Sequence, residues 1–280
     1  MIAVGVDSGS TVTKVALVVD GVVVHAASLP TGTDPLKSGS VLLDAARQAV
    51  CTPPAETQIC VTGYGRKLLG GLGSQKTEIS CHALGAHALV TGAITDGRGA
   101  AGNPTLHSLP FVKGEGQREG FTLLDIGGQD SKAIKVDAEG RAADFAMNDK
   151  CAAGTGRFLE VIARTLGFGI EGVSAAAIGS SRKARLSSMC TVFADSEVVS
   201  LTARGERPDE IAWAACYAVA ERCAGLVKRM GVKDTLIFTG GVSDLPAVTE
   251  ALKEILKVDV CSPPLARFSG AIGAALFAGK

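Results

Sequence analysis

Apolar and polar positions along the chain sort into short β-type runs and helical repeats. Two apolar runs open it, Ile2–Val6 and Val12–Val19, separated by the polar turn Asp7-Ser8-Gly9-Ser10-Thr11; a third follows Asp20-Gly21 and reaches Ala27. Apolar runs of this length between turn residues predict strands. Thr31–Gly39 is polar and reads as a loop, while Val41–Val50 puts Leu42, Ala45, Ala46 and Ala49 on one helical face. Ile59–Thr62 is a short buried strand ending at Gly63, and Cys81–Ala93 fits a small-residue helix. Gly97–Gly120, glycine-rich with Pro104 and Pro110, reads as a long surface loop. Phe121–Asp125 and Ala133–Val136 are strands. Helices are predicted over Thr155–Leu166, Ser174–Ser181, Val192–Thr202 and Pro208–Met230. The strand Thr235–Phe238 and helices over Pro246–Leu256 and Gly270–Ala278 follow. Strands alternating with helices predict an α/β protein.

Three glycine turns carry chemistry. Phe121–Asp125 feeds Gly127 and Gly128, which let the backbone turn tightly and bring N–H groups to an anion; Gln129, Asp130, Ser131 and Lys132 follow before the next strand. This is a hairpin that holds a phosphate, not a P-loop, since no GxxxxGK[ST] occurs. The first hairpin is a near copy, with Asp7, then Ser10, Thr11, Val12, Thr13 and Lys14, and two such hairpins suggest an internal duplication. Facing each other, they could grip a nucleotide's phosphates, with Asp7 and Asp125 directed at Mg²⁺ or at the attacking water. The third turn, Thr239-Gly240-Gly241-Val242, follows a strand and precedes a helix, and would let the backbone approach adenosine.

Composition narrows the class. The chain has 280 residues, 46% hydrophobic and 20% charged, which is enough for two compact domains. Lys+Arg and Asp+Glu balance at 28 each, so there is no basic footprint for nucleic acid. No basic segment followed by a long apolar one begins the sequence, so the expectation is a cytoplasmic protein without a membrane span. Eight cysteines without a secretory signal argue against a disulfide framework. Cys51, Cys60, Cys81, Cys216, Cys223 and Cys261 read as buried thiols, with Cys81-His82 a packing pair.

The three turns in this order resemble the phosphate and adenosine motifs of the actin, Hsp70 and sugar-kinase superfamily. That resemblance implies two ribonuclease-H-like domains around an ATP cleft. Asn148-Asp149-Lys150-Cys151-Ala152-Ala153-Gly154-Thr155-Gly156-Arg157-Phe158-Leu159-Glu160 and Ser188-Met189-Cys190-Thr191-Val192-Phe193-Ala194-Asp195-Ser196-Glu197 narrow it. With Thr62-Gly63-Tyr64-Gly65-Arg66 and Glu78-Ile79-Ser80-Cys81-His82-Ala83, they resemble the ATP-dependent activators of 2-hydroxyacyl-CoA dehydratases. The ATP-binding subunits of benzoyl-CoA reductase belong to that same BadF/BadG/BcrA/BcrD ATPase family.

The resemblance implies domains over 1–96 with a C-terminal helix at about 268–280, an inserted or linker loop over 97–120, and a second domain over 121–267. It also implies that Cys151 and Cys190 ligate one [4Fe-4S] cluster shared across a homodimer, since a cluster takes four thiolates and a two-fold axis doubles two. Both cysteines precede expected helix starts, where exposed N–H groups and the dipole favour anionic sulfur. The implied roles are the first phosphate loop for Ser10, Thr11, Val12, Thr13 and Lys14, the second for Gly127, Gly128 and Gln129, and adenosine contact for Gly240, Gly241 and Val242. The implied activity is ATP hydrolysis, ATP giving ADP, coupled to electron transfer from ferredoxin or flavodoxin to a 2-hydroxyacyl-CoA dehydratase or related acyl-CoA reductase. A permanent benzoyl-CoA reductase subunit, a small-molecule kinase of the same fold and a non-enzymatic ATP-responsive module are the alternatives. Ser269-Gly270-Ala271 and Ser243-Asp244-Leu245-Pro246 depart from the family's commoner sequences.

Overall fold

The computed structural model describes residues 2–49, 57–96, 120–182, 184–186 and 191–279; the expected loop over 97–120, apart from Gly120, and Cys51 and Cys190 lie outside the described residues. Two compact units divide the chain. One gathers Met1–Leu123, Ile134–Phe145 and Ser262–Lys280, the other Leu124–Ala133 and Ala146–Cys261.

Strands β1 (Ile2–Ser8), β2 (Val12–Val19) and β3 (Val22–Pro30) form an antiparallel meander, and β4 (Gln58–Thr62) joins β1 in parallel, with β5 (Ser74–Gln75) beyond it. The sheet order is β3-β2-β1-β4-β5. The second sheet uses β6 (Phe121–Ile126), β7 (Ser131–Val136), β8 (Ala142–Asn148), β9 (Thr235–Thr239) and β10 (Asp259–Cys261). Its order, β8-β7-β6-β9-β10, repeats the first strand for strand. The duplication read from two glycine hairpins therefore extends to the whole sheet, and the fold is mixed α/β with two equivalent sheets.

Helices α1 (Pro35–Ala49), α2 (Glu78–Val90), α3 (Gly156–Thr165), α4 (Ile170–Ile178), α5 (Thr191–Ala203), α6 (Pro208–Met230), α7 (Pro246–Leu256) and α8 (Ser269–Ala278) complete it. Three begin well ahead of where periodicity places them. At α1, Asp34 Oδ1 accepts from Lys37 N at 3.1 Å and Pro35 stands in the first turn, so the polar stretch before Val41 is already helical. At α2, Thr77 Oγ1 caps Ser80 N at 3.3 Å, three residues ahead of the apolar start. Helix α4 likewise lies four residues before its expected start, and β10 was not expected at all, being too short for an alternation to show.

The second unit's core packs Phe158, Leu159 and Ile162 of α3 and Trp213, Cys216 and Val219 of α6 with Leu124, Ile126 and Phe238 of the sheet. In the first unit, α8 is laid so close to β1 and α2 that only glycine fits. A Cβ at Gly5 would strike the backbone of Ala271, one at Gly85 that of Ser269, and one at Gly273 that of Cys81. No single helix among the described residues is long and apolar enough to cross a membrane.

Gly273→Ala should lower stability by about 2–3 kcal/mol, because backbone on the facing helix cannot yield as a side chain would. Gly225→Ala on α6 meets nothing within 4 Å, and should be neutral or stabilise by about 0.5–1 kcal/mol. Urea midpoints of the two variants check the contrast.

Candidate functional site

Each unit carries an acidic residue at the end of its first strand, balanced by a lysine seven positions on. In the first, Asp7 pairs across the hairpin with Lys14, Oδ2 to Nζ at 3.8 Å, both nearly enclosed. Two glycines make room for the carboxylate. A Cβ at Gly63, whose φ is +86°, would come within 2.6 Å of Asp7 Oδ1, and one at Gly270 within 2.8 Å of Oδ2 and 3.0 Å of His82 Nε2. His82 is buried, with Nδ1 3.0 Å from Ser269 Oγ and Nε2 3.7 Å from Glu78. The reading of His82 as packing did not foresee that it stands beside Asp7. Ser269, the departure from the family's commoner sequence, is its partner.

The turn at Ser10 and Thr11 is braced from β3. Thr31 N donates to Thr11 O at 2.9 Å, and Thr31 Oγ1 donates to Gly9 O at 2.7 Å while meeting Thr13 Oγ1 at 3.0 Å. Ser8 Oγ and Thr11 Oγ1 are buried and find no hydrogen-bond partner among the described residues. Buried hydroxyls are ordinarily paired, so two at one hairpin tip fit an oxygen-rich ligand there. Val12 opens β2 beside them.

In the second unit Asp125 Oδ2 lies 3.8 Å from Lys132 Nζ, repeating the Asp7–Lys14 distance, and its Oδ1 accepts from Thr239 Oγ1 at 3.0 Å. Lys132, 1% exposed, also pairs with Asp130 at 2.7 Å. Gly127 N closes the turn on Asp130 O at 2.9 Å, with Gly128 and Gln129 at its tip. Gly240 has φ +89°, and a Cβ there would strike the Ile126 backbone, so the third turn presses against the end of β6. Ser243 Oγ secures it by donating to Gly240 O at 2.7 Å; Gly241 and Val242 follow in a single 3-10 turn.

The segment bearing Cys151 is fastened directly to these loops. Gly156 N donates to Gly127 O and Arg157 N to Gly128 O, each at 2.9 Å, while a Cβ at Gly156 would lie 3.4 Å from the Val242 side chain. The amides opening α3 are thus taken by the Gly127-Gly128 turn, which corrects the expectation that they face the sulfur; only the helix dipole remains for that. Cys151 is half-buried, and Asn148 Nδ2 donates to Cys151 O at 2.9 Å and to Ala153 O at 3.2 Å. Gly154, at φ +89°, accepts from the Cys223 thiol at 3.2 Å. Burial pushes Cys223 up to about 12, which keeps the proton that this bond needs.

Cys60, Cys81, Cys216, Cys223 and Cys261 are buried, as read. Burial holds Cys81 and Cys216 at about 12 as well. Among the described residues no group of three or more His, Cys, Asp or Glu could enclose a metal ion.

The fold is of the actin and sugar-kinase type; a ROK family glucokinase from Streptomyces griseus shares it at TM-score 0.53, 15% identity and 99% of each chain. Within that class the chain belongs to the BadF/BadG/BcrA/BcrD ATPase family, whose model matches residues 105–278. It is 38% identical to the (R)-2-hydroxyglutaryl-CoA dehydratase activating ATPase of Acidaminococcus fermentans, over 99% of this chain and 96% of that one. It superposes with TM-score 0.84 and 32% identity on the activator of the 2-hydroxyisocaproyl-CoA dehydratase from Clostridium difficile with bound ADPNP, covering 99% and 94% of the two chains.

In the metal-free protein iodoacetamide at pH 8 should alkylate Cys151 and spare Cys81, Cys216 and Cys223 until denaturant is added, as peptide mapping will read. Because these three keep their protons when folded while unfolded thiols ionise near pH ~8.5, the folded state binds more protons. Stability should therefore fall as pH climbs from there toward about 12.

Proposed function

We propose that this chain is an ATP-hydrolysing electron-transfer activator. As a cytoplasmic homodimer it takes electrons from ferredoxin or flavodoxin and delivers them at low potential to a 2-hydroxyacyl-CoA dehydratase or a related acyl-CoA reductase. Membership of the ATPase family and likeness to two activators support the ATP half. The observation that carries the coupling is the pair of bonds from Gly156 N and Arg157 N to the carbonyls of Gly127 and Gly128.

In this reading Ser10, Thr11, Val12, Thr13 and Lys14 hold phosphate oxygens, as do Gly127, Gly128 and Gln129, and Gly240, Gly241 and Val242 face adenosine. Asp7 and Asp125 hold Mg²⁺ or orient the attacking water. Lys14 and Lys132 set a positive charge 3.8 Å from each carboxylate for that task. A change of phosphate state moves the Gly127-Gly128 turn. The turn moves α3 through its first two amides, and the segment of Cys151 moves with it.

Cys151 fits a cluster ligand. It is half-buried where the other described cysteines are enclosed, and Asn148 fixes its carbonyl from the preceding strand. One thiolate cannot close a site, so the reading requires Cys190 and the same two cysteines of a second protomer. A [4Fe-4S] cluster bound there would supply one-electron chemistry. What the chain contributes is the spacing of the thiolates and the exclusion or admission of water around them, two levers on potential.

Anaerobic preparation should yield close to four iron and four sulfide per dimer, as the shared cluster requires. Cys151→Ser should lose them and keep nucleotide binding. No iron after reconstitution would overturn the reading in favour of a small-molecule kinase. Asp125→Asn should lower kcat for ATP about 10²-fold or more, with nucleotide affinity largely retained; an unchanged rate would remove Asp125 from the chemistry.

A further inference from the structure

Beside Asp7 the first unit buries a polar group that neither the glycine turns nor the thiols use. Glu78 and His82 stand four residues apart in the opening turns of α2, and so share one helix face. The imidazole is 2% exposed. Its Nδ1 lies 3.0 Å from Oγ of Ser269, itself fully enclosed at the start of α8, and its Nε2 lies 3.7 Å from Glu78 Oε1. Gly270 relates the same nitrogen to Asp7: the point a Cβ would occupy there is 2.8 Å from Asp7 Oδ2 and 3.0 Å from His82 Nε2. Both atoms therefore border one slot, which is open only because residue 270 has no side chain.

A neutral imidazole carries one proton, and what each nitrogen faces decides where it sits. At Nε2 a bare lone pair would confront the carboxylate of Glu78 and, across the slot, that of Asp7, whereas an N–H is attracted to both. At Nδ1 the Ser269 hydroxyl can donate as readily as accept. The proton therefore belongs on Nε2, with Ser269 donating to Nδ1; a doubly protonated ring would present the same Nε2–H. Asp7 Oδ2 also has Lys14 Nζ at 3.8 Å, so one carboxylate oxygen meets positive groups from the hairpin and from α2. Packing alone gives no reason for this set, because burying an imidazole, a hydroxyl and a carboxylate is costly unless they serve one another.

We propose that His82 is a positioning residue for ATP hydrolysis: Ser269 keeps the imidazole proton on Nε2, and that N–H, together with Lys14, fixes the direction of the Asp7 carboxylate. The proposal rests on the reading of Asp7 as the holder of Mg²⁺ or of the attacking water, and the experiment separates the two. The full-length protein is prepared anaerobically as wild type, His82→Ala, His82→Gln, Ser269→Ala, Asp7→Asn and the double variant His82→Ala/Asp7→Asn. For each, kcat and KM for ATP and the thermal midpoint are measured. NMR of protein labelled with nitrogen-15 histidine reads which ring nitrogens carry protons. The chain has 4 histidines, and His82 is assigned by the signals that His82→Gln lacks.

The wild-type spectrum should show a proton on His82 Nε2; a proton on Nδ1 alone would overturn the proposal. His82→Ala should lower kcat about ten- to a hundredfold, as losing the partner of a ligating group does, with KM for ATP unchanged. His82→Gln should recover most of that loss, since its amide N–H can stand where Nε2–H does. A wild-type kcat in His82→Ala, or an equal loss in His82→Ala and His82→Gln, would overturn the proposal. If melting shows that His82→Ala does not fold, Ser269→Ala keeps the ring and should still lower kcat about threefold or more, the worth of one hydrogen bond; a wild-type kcat there would overturn it. On the Asp7→Asn background His82→Ala should cost little further, because its effect runs through that carboxylate. A full additional loss would overturn the proposal and leave the role of Asp7 standing. A wild-type rate in Asp7→Asn would overturn the reading of Asp7 itself, and the role of His82 with it.

Discussion

Two backbone hydrogen bonds, Gly156 N to Gly127 O and Arg157 N to Gly128 O, make the second unit one mechanical piece. The first amides of a helix have no partner inside it and must find one elsewhere. Here they find the tip of an acidic glycine hairpin, so helix and turn cannot move separately without leaving buried donors unmet. The helix start packs closely on the turn: a Cβ at Gly156 would touch Gly127 O, Gly128 Cα and the Val242 side chain, all within 3.5 Å. The first turn of α3 is thereby committed to holding the Gly127-Gly128 turn.

The paired Asp–Lys arrangement extends this economy to both units. Asp7 with Lys14 and Asp125 with Lys132 stand at the same sequence spacing and the same 3.8 Å, at equivalent corners of sheets with identical strand order. An enclosed ion pair of this kind adds little net stability, because desolvation offsets the attraction. Its use is to hold a carboxylate beside a fixed positive charge in one orientation. The neighbouring glycines serve the same end: Gly63 and Gly270 leave the space that Asp7 occupies, and Gly240 lets its turn reach the end of β6. Removing either lysine would strand a carboxylate in a site built around its charge.

Membership of the BadF/BadG/BcrA/BcrD ATPase family does not by itself account for every buried polar group. The buried Glu210 accepts from Ser181 N, and Arg182 and Arg185 stack on Trp213 and Tyr217, outside the glycine turns. His82 and Ser269 likewise stand beside Asp7 without belonging to a glycine turn.

The sequence by itself determined the hairpins, the glycine turns, the helix over Pro208–Met230 and the duplication, because strand alternation, helical periodicity and glycine's freedom are local properties of consecutive residues. It was less able to date helix starts, where a single cap at Asp34 or Thr77 outweighs the apolar pattern. The tertiary structure alone decided which distant groups meet: Thr239 on Asp125, 114 positions apart, and Ser269 on His82, 187 apart. It also decided that α3's amides are spent on Gly127 and Gly128, and that Glu210 reaches back to Ser181. No period or propensity encodes such pairs, since each depends on two segments being folded against the same core before either side chain has a partner.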